Sequence, residues 1–177
     1  MTTDATTTRA AAWTEAASIL AEAWRFFARH YLIVLAFGGL ASIQRFLAVS
    51  GDAAWAAGVG GEVFTAAVRL AFIAWAVRRL LRDRPVAWVG ATARWSAWNS
   101  RHWPTVLASM AFLLVLTVVL KVLPDALAGR VGGIDVSTWL AWELAIKNVT
   151  VIPFTMLWMT ILFAAWPLRQ SATSSTS

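Results

Sequence analysis

The sequence predicts an all-α membrane protein built on four transmembrane helices, and three observations predict it. Hydrophobic residues make up 59% of the 177 residues and charged residues only 14%, whereas a soluble domain is about 45–50% apolar and about 25% charged. The apolar residues are gathered into four runs of membrane-crossing length, and mean hydropathy is +0.65. Trp occurs 12 times, and this side chain concentrates at membrane–water boundaries. The lack of Cys excludes disulfides, thiolate metal sites and cysteine nucleophiles. A net charge of +6 does not point to nucleic acid, because the arginines cluster at span ends rather than on one soluble face.

Residues 1–9 read as a disordered, Thr-rich tail. They lack the basic start, apolar core and small-residue cleavage site of a signal peptide. Residues 10–169 read as a single four-span membrane domain, and 170–177 as a second, Ser/Thr-rich tail. Within 10–30, Trp13, Ala17, Leu20, Trp24, Phe27 and Tyr31 recur at alternating spacings of four and three, one apolar stripe of a helix. Glu15, Glu22, Arg25 and Arg29 fall mostly off that stripe. Such a helix is expected to lie in the cytoplasmic interface and lead into span one.

The spans cover about 31–50, 61–81, 104–120 and 149–166, against the about 20 residues, range roughly 17–25, that a bilayer core requires. Gln44 and Arg45 interrupt the first and Arg69 the second, while the third and fourth carry no charge. Pro153 removes one backbone hydrogen bond and predicts a kink in span four. Between spans two and three, 85–102 reads as a second interfacial helix. Trp88, Ala91, Trp95, Trp98 and His102 share one arc, flanked by Arg94 and Arg101. Aromatics at the acyl boundary with arginines reaching phosphates suit an anionic leaflet.

Orientation follows from the flanking Lys and Arg. Arg9, Arg25, Arg29, Arg78, Arg79, Arg82, Arg84, Arg94, Arg101 and Arg169 share one side; Lys121, Arg130, Lys147 and Arg45 face the other. Ten against four places both termini in the cytoplasm, and the strong bias of Arg over Lys points to a bacterium with GC-rich DNA and so to its inner membrane.

The halves also align with each other. Arg29-His30-Tyr31 opens span one and Arg101-His102-Trp103 opens span three, 72 residues later, and Val59-Gly60-Gly61 matches Val131-Gly132-Gly133 at the same offset. Ala74-Trp75 and Ala165-Trp166 close spans two and four at an offset of 91. An inserted outer helix over 137–148, with Glu143 and Lys147 at a supportive spacing, accounts for the difference. The pattern is either a two-fold internal repeat or a coincidence of short matches in an Ala-, Val-, Trp- and Arg-rich chain.

Charges inside spans are candidate functional groups, because each costs about 2.5–3.5 kcal/mol at mid-depth. Arg45 and Glu62 lie at similar depth on neighbouring helices. Three readings apply: a salt bridge locking the hairpin, a substrate or proton site, or two snorkelling charges. Arg69 lies mid-span, at the depth of Gly38 and Gly39 on span one. It either bonds backbone carbonyls and snorkels, or meets an acidic group of a partner subunit or an anionic ligand. Arg29 with His30, and Arg101 with His102 near Arg94, sit at cytoplasmic mouths; each is a hydrated interfacial pair or a clamp for a phosphate head group. Two histidines without nearby carboxylates make no metal site. No catalytic or phosphate-binding motif is present, so the chain reads as no enzyme and as needing no cofactor.

The stretch Ala23-Trp24-Arg25-Phe26-Phe27-Ala28-Arg29-His30-Tyr31-Leu32, leading into an apolar span, resembles multi-pass membrane proteins of GC-rich, actinobacterial-type bacteria. Those contain repeated units of amphipathic helix, aromatic–basic junction and hairpin, similar to the membrane domains attached to glycerophosphodiester phosphodiesterases. The likeness covers the first 45 residues and, through the repeat, 94–108. It implies fold alone, since no functional residue carries over and the phosphodiesterase domain itself is not in this sequence.

Three functions fit these features, in this order. The first is a non-catalytic subunit or assembly partner of a membrane complex, meeting a membrane protein or another copy of itself. The second is a small oligomeric carrier or channel, for which the uncharged third and fourth spans offer few polar groups. The third is a lipid-binding protein using the Arg/Trp helices on the anionic cytoplasmic leaflet.

Overall fold

Helix is the one open-ended structure that satisfies every backbone N–H and C=O within its own segment, as a lipid environment demands. The computed structural model describes residues 3–50, 54–82, 90–128 and 146–168, and among them every extended element is helical with no strand. In order these are α1 (Thr3–Arg29), α2 (Tyr31–Ser50), α3 (Ala54–Ala57), α4 (Val59–Leu80), α5 (Ala91–Arg101), α6 (Trp103–Thr117), α7 (Leu123–Ala128) and α8 (Val151–Thr160). A π-helical turn, Val118–Val122, joins α6 to α7, and another, Ile161–Ala165, extends α8. Four helices are long and apolar enough to cross a membrane: Tyr31–Ala48, Val59–Leu80, Trp103–Leu120 and Ile146–Leu168. These match the four predicted runs to within a few residues.

The fourth span is the centre of the fold. Its window is 39% buried, against 17% for each of the others, and Leu157, Trp158, Ile161, Leu162 and Ala165 form the middle of the apolar core. Phe72, Ala76 and Leu80 of α4 pack on it from one side, and Ile19, Ala23 and Phe27 of α1 also join this cluster. Lipid tails are as apolar as Leu, so close packing rather than expulsion from water holds such helices together. Gly38 shows how close: a Cβ there would lie 2.6 Å from the Asn148 carbonyl oxygen and 2.7 Å from the Val149 Cα. Gly39, its neighbour, has nothing within 4 Å. Of these two glycines Gly38 is the one that admits a close neighbour, and that neighbour is the fourth span.

The Pro153 kink falls slightly upstream. The helical run 146–149 is interrupted at Thr150, whose φ of −124° leaves the helical region. A proline has no N–H for the carbonyl four residues back and its ring crowds that turn, so the irregularity belongs just before Pro153. Thr150 compensates by donating both its N–H and its hydroxyl to the Ile146 carbonyl.

The first helix differs most from expectation. It begins at Thr3 rather than near residue 10, since no Gly or Pro stops the helix in between. Its buried line is Ala12, Ala16, Ile19, Ala23 and Phe27; Phe27 lies on the predicted stripe, and the other four each precede a predicted residue by one position. Trp13 and Trp24 stay about half exposed or more, at 48% and 61%. Bulk misled the stripe assignment: helices that approach closely bury small residues and leave large ones at the flanks. On α6 the buried residues are again small, Thr105, Ala108 and Ser109, and among the described residues α1 pairs with α6 more extensively than any other two helices do. In the second amphipathic segment, α5 buries Trp98 and exposes Trp95; Trp88, residues 137–145 of the extra helix expected over 137–148, the second Gly pair at 132–133 and the tail at 170–177 lie outside the described residues.

Candidate functional site

Two clefts gather most of the polar groups singled out in the sequence. The first lies between α2, α4 and the start of the fourth span, lined by Ala41, Gln44, Arg45, Glu62, Thr65, Arg69, Asn148 and Ile152, with about 190 Å³ of water-accessible space. Arg45, Glu62 and Arg69 therefore meet around one cleft. Arg69 also reaches the adjoining apolar crevice of Phe37, Gly38, Val68, Phe72 and Pro153. All three charged side chains are exposed.

The hairpin is not locked by an Arg45–Glu62 salt bridge: among the described residues neither engages the other. Gln44 makes that link instead. Its amide nitrogen donates to the Ala56 carbonyl at 2.6 Å, and its carbonyl accepts from the Thr65 hydroxyl at 3.0 Å. Gly61 permits this, since a Cβ there would collide with the Ala56 carbonyl and the Gln44 amide. Arg45 is one position, about 100° of helix, further round, and so points to the cleft rim rather than at α4. Sequence reading passed over Gln44 as a mere interruption. The available signal was its place three residues after Ala41 and seven after Phe37, on the face that meets α4.

The second cleft is basic and lies where α1, the start of α2 and the end of α4 converge. Glu22, Arg25, Phe26, Arg29, His30, Arg79 and Leu80 line about 250 Å³ of water-accessible space. On α1 the spacing of Glu22, Arg25, Phe26 and Arg29 puts all four on one face. His30 is the single residue between α1 and α2. Its Nδ1 lies 3.0 Å from the Phe26 carbonyl, and Arg79 Nε–H donates to its Nε2 at 3.4 Å. These partners assign the proton to Nδ1, leaving Nε2 as acceptor. The imidazole stacks on Phe26 at 4.4 Å and meets the edge of Trp75 at 5.6 Å.

His102 stands at the matching break between α5 and α6. Its Nδ1 lies 3.1 Å from the Trp98 carbonyl and its ring stacks on Trp98 at 4.9 Å. The two junctions are thus built alike, but Arg94, Arg101 and His102 are not part of the basic cleft that holds Arg29 and His30. Arg94 lies beside Gly90, whose φ of 74° starts α5.

Glu15 is a further group the sequence reading left among off-stripe charges. One carboxylate oxygen accepts from the Thr105 hydroxyl at 2.6 Å and the other from the Trp166 indole N–H at 2.9 Å. It ties α1 to the beginning of α6 and to the end of the fourth span. Nothing in the helical periodicity marks Glu15, because its partners lie 90 and 151 residues away.

Among the described residues no three His, Asp or Glu side chains converge as metal ligands. Comparison with protein families, with curated proteins and with solved structures finds no match.

Proposed function

We propose that this chain is a non-catalytic, multi-pass protein of a bacterial inner membrane, with both termini cytoplasmic, that serves as a subunit or assembly partner of a membrane complex. Arg69 carries the reading. It lies midway along α4, is exposed on the rim of two clefts, and engages no hydrogen-bond or ion-pair partner among the described residues. A charge at that depth costs about 2.5–3.5 kcal/mol on insertion scales, and an acidic side chain from another membrane protein offsets that cost. Arg45 and Glu62, on the same cleft, offer an approaching helix one further charge of each sign.

The ten-to-four distribution of basic residues supports the orientation. The like-built junctions at His30 and His102 support reading the halves as a tandem unit, each an amphipathic helix followed by a hairpin. In that reading α5 is the interfacial helix of the second unit, and α1 has moved from the interface into contact with α6 and the fourth span.

Purification from native membranes in mild detergent, with mass spectrometry of the co-purifying proteins, tests this function. One stoichiometric membrane protein is expected, and Arg69→Ala should release it without lowering the level of the chain. Recovery of the chain without a protein partner, identically for wild type and R69A, overturns the subunit reading.

A further inference from the structure

The basic cleft between α1 and α4 does not involve Arg69, and its chemistry is different. We infer that it is a binding site for one phosphoryl group, held by Arg25, Arg29 and Arg79, with His30 as the positioning residue for Arg79.

Charge is the first ground. Three guanidiniums and the single carboxylate of Glu22 line the cleft, a surplus of two positive charges. Arg25 and Arg29 are one helical turn apart, where like charges disfavour the helix, and Arg79 is brought up to them from α4. An anion in the cleft removes that repulsion.

Geometry is the second. Arg79 gives its Nε–H to His30, which orients the guanidinium plane and leaves the two Nη groups to form a fork. A guanidinium fork matches two phosphate oxygens, which a flexible ammonium does not. His30 is itself immobilised, by the Phe26 carbonyl and by the rings of Phe26 and Trp75. The His30 acceptor therefore favours the fork before any ligand arrives, which lowers the entropic cost of binding. The second junction is a natural control: it has the same fixed histidine, but Ala97 stands where Arg25 stands in the first.

A phosphoryl group can come from a lipid head group or from free phosphate, and one experiment separates them. The purified full chain is placed in phosphatidylcholine nanodiscs, and its thermal unfolding is followed with either phosphatidylglycerol added to the bilayer or inorganic phosphate added to the buffer. A ligand that binds only the folded state raises Tm in proportion to its occupancy. A rise with phosphatidylglycerol alone assigns a lipid head group, and a rise with inorganic phosphate assigns a free anion. No rise with either overturns the site.

Arg29→Gln with Arg79→Gln should raise the half-effect concentration by at least about tenfold, while Arg101→Gln leaves it unchanged. Equal responses in wild type and R29Q/R79Q overturn the proposal. Should that variant not fold, R29K/R79K, which keeps the charge and loses the forks, is held to the same criterion. His30→Phe keeps the stacked ring and removes the acceptor for Arg79. It should weaken binding in the wild-type background and have no further effect beside R79Q; a loss of equal size in both backgrounds would mean a merely structural histidine and overturn the positioning role. All of this is measured on the isolated chain, so it stands or falls separately from the membrane partner of Arg69.

Discussion

The two pairs of spans in this protein are fastened by different means. In the first, α2 and α4 carry their own polar link: Gln44 bonds the Ala56 carbonyl and the Thr65 hydroxyl, all within one hairpin. In the second, the third span is uncharged, the fourth carries only Lys147 at its start, and the carboxylate between Thr105 and Trp166 comes from Glu15 of α1. A hairpin with an internal amide can close alone. Two spans that share a carboxylate from an earlier helix are joined through that helix rather than to each other directly. That is consistent with the fourth span being the most enclosed element and with α1 packing against it rather than apart from it.

Backbone proximity should give the largest effects, because a backbone cannot move aside as a side chain can. Gly61→Ala places a methyl on the Ala56 carbonyl and disturbs Gln44, and Gly38→Ala places one 2.6 Å from the Asn148 carbonyl oxygen. Each should cost about 1–3 kcal/mol or more, read as a fall in Tm of the purified protein. Gly39→Ala, with open space around it, should be neutral or slightly stabilising, since Ala is the better helix residue by about 0.5–1 kcal/mol. Similar losses at Gly38 and Gly39 would show that helix geometry, and not the contact with the fourth span, is what matters there.

The polar links rank next and sharpen the contrast between the two pairs of spans. Glu15→Ala strips a charged acceptor from two donors, and hydrogen bonds to charged groups are worth about 1.5–3 kcal/mol. Gln44→Ala breaks neutral bonds, which inside membranes average about 0.6 and reach about 1.7 kcal/mol. E15A should therefore lower Tm more than Q44A does. The two sites share no bonding partner, so the double variant should be additive within about 0.3–0.5 kcal/mol. Trp166→Phe should reproduce part of the E15A loss while leaving Thr105 on Glu15; an effect of W166F in an E15A background as large as in wild type would show that the indole N–H is not what Glu15 engages.

What the sequence made legible follows from this division. Span positions were readable because a bilayer imposes length and hydropathy on each segment separately. Arg45, Glu62 and Arg69 could be singled out for the same reason, since a charge in an apolar run stands out locally. The face that α1 buries was not readable from periodicity alone: Ala12, Ala16 and Ala23 look inert beside Trp13 and Trp24, and only the close approach of another helix makes small residues the inner ones. Glu15 was hidden for a related cause. Its meaning depends on Thr105 and Trp166, residues brought to it by tertiary packing and by no local pattern.

The smallest expected effect separates the polar link of the first hairpin from the charges beside it. Depth alone suggested that Arg45 and Glu62 pair across the hairpin, whereas Gln44 occupies the position between the helices and both charges stand on the cleft rim. Two charges that do not bond to each other have little pairwise energy to lose. Arg45→Ala and Glu62→Ala should each shift Tm little, and their double-mutant cycle should close with no coupling beyond about 0.3–0.5 kcal/mol. Coupling well above that range would mean the two side chains meet in the membrane, and the closing of the first hairpin would then rest on an ion pair as well as on Gln44. Near-zero coupling would leave both charges available to the partner proposed for Arg69, whose release by R69A should then be enhanced by E62A or R45A only when that partner is present.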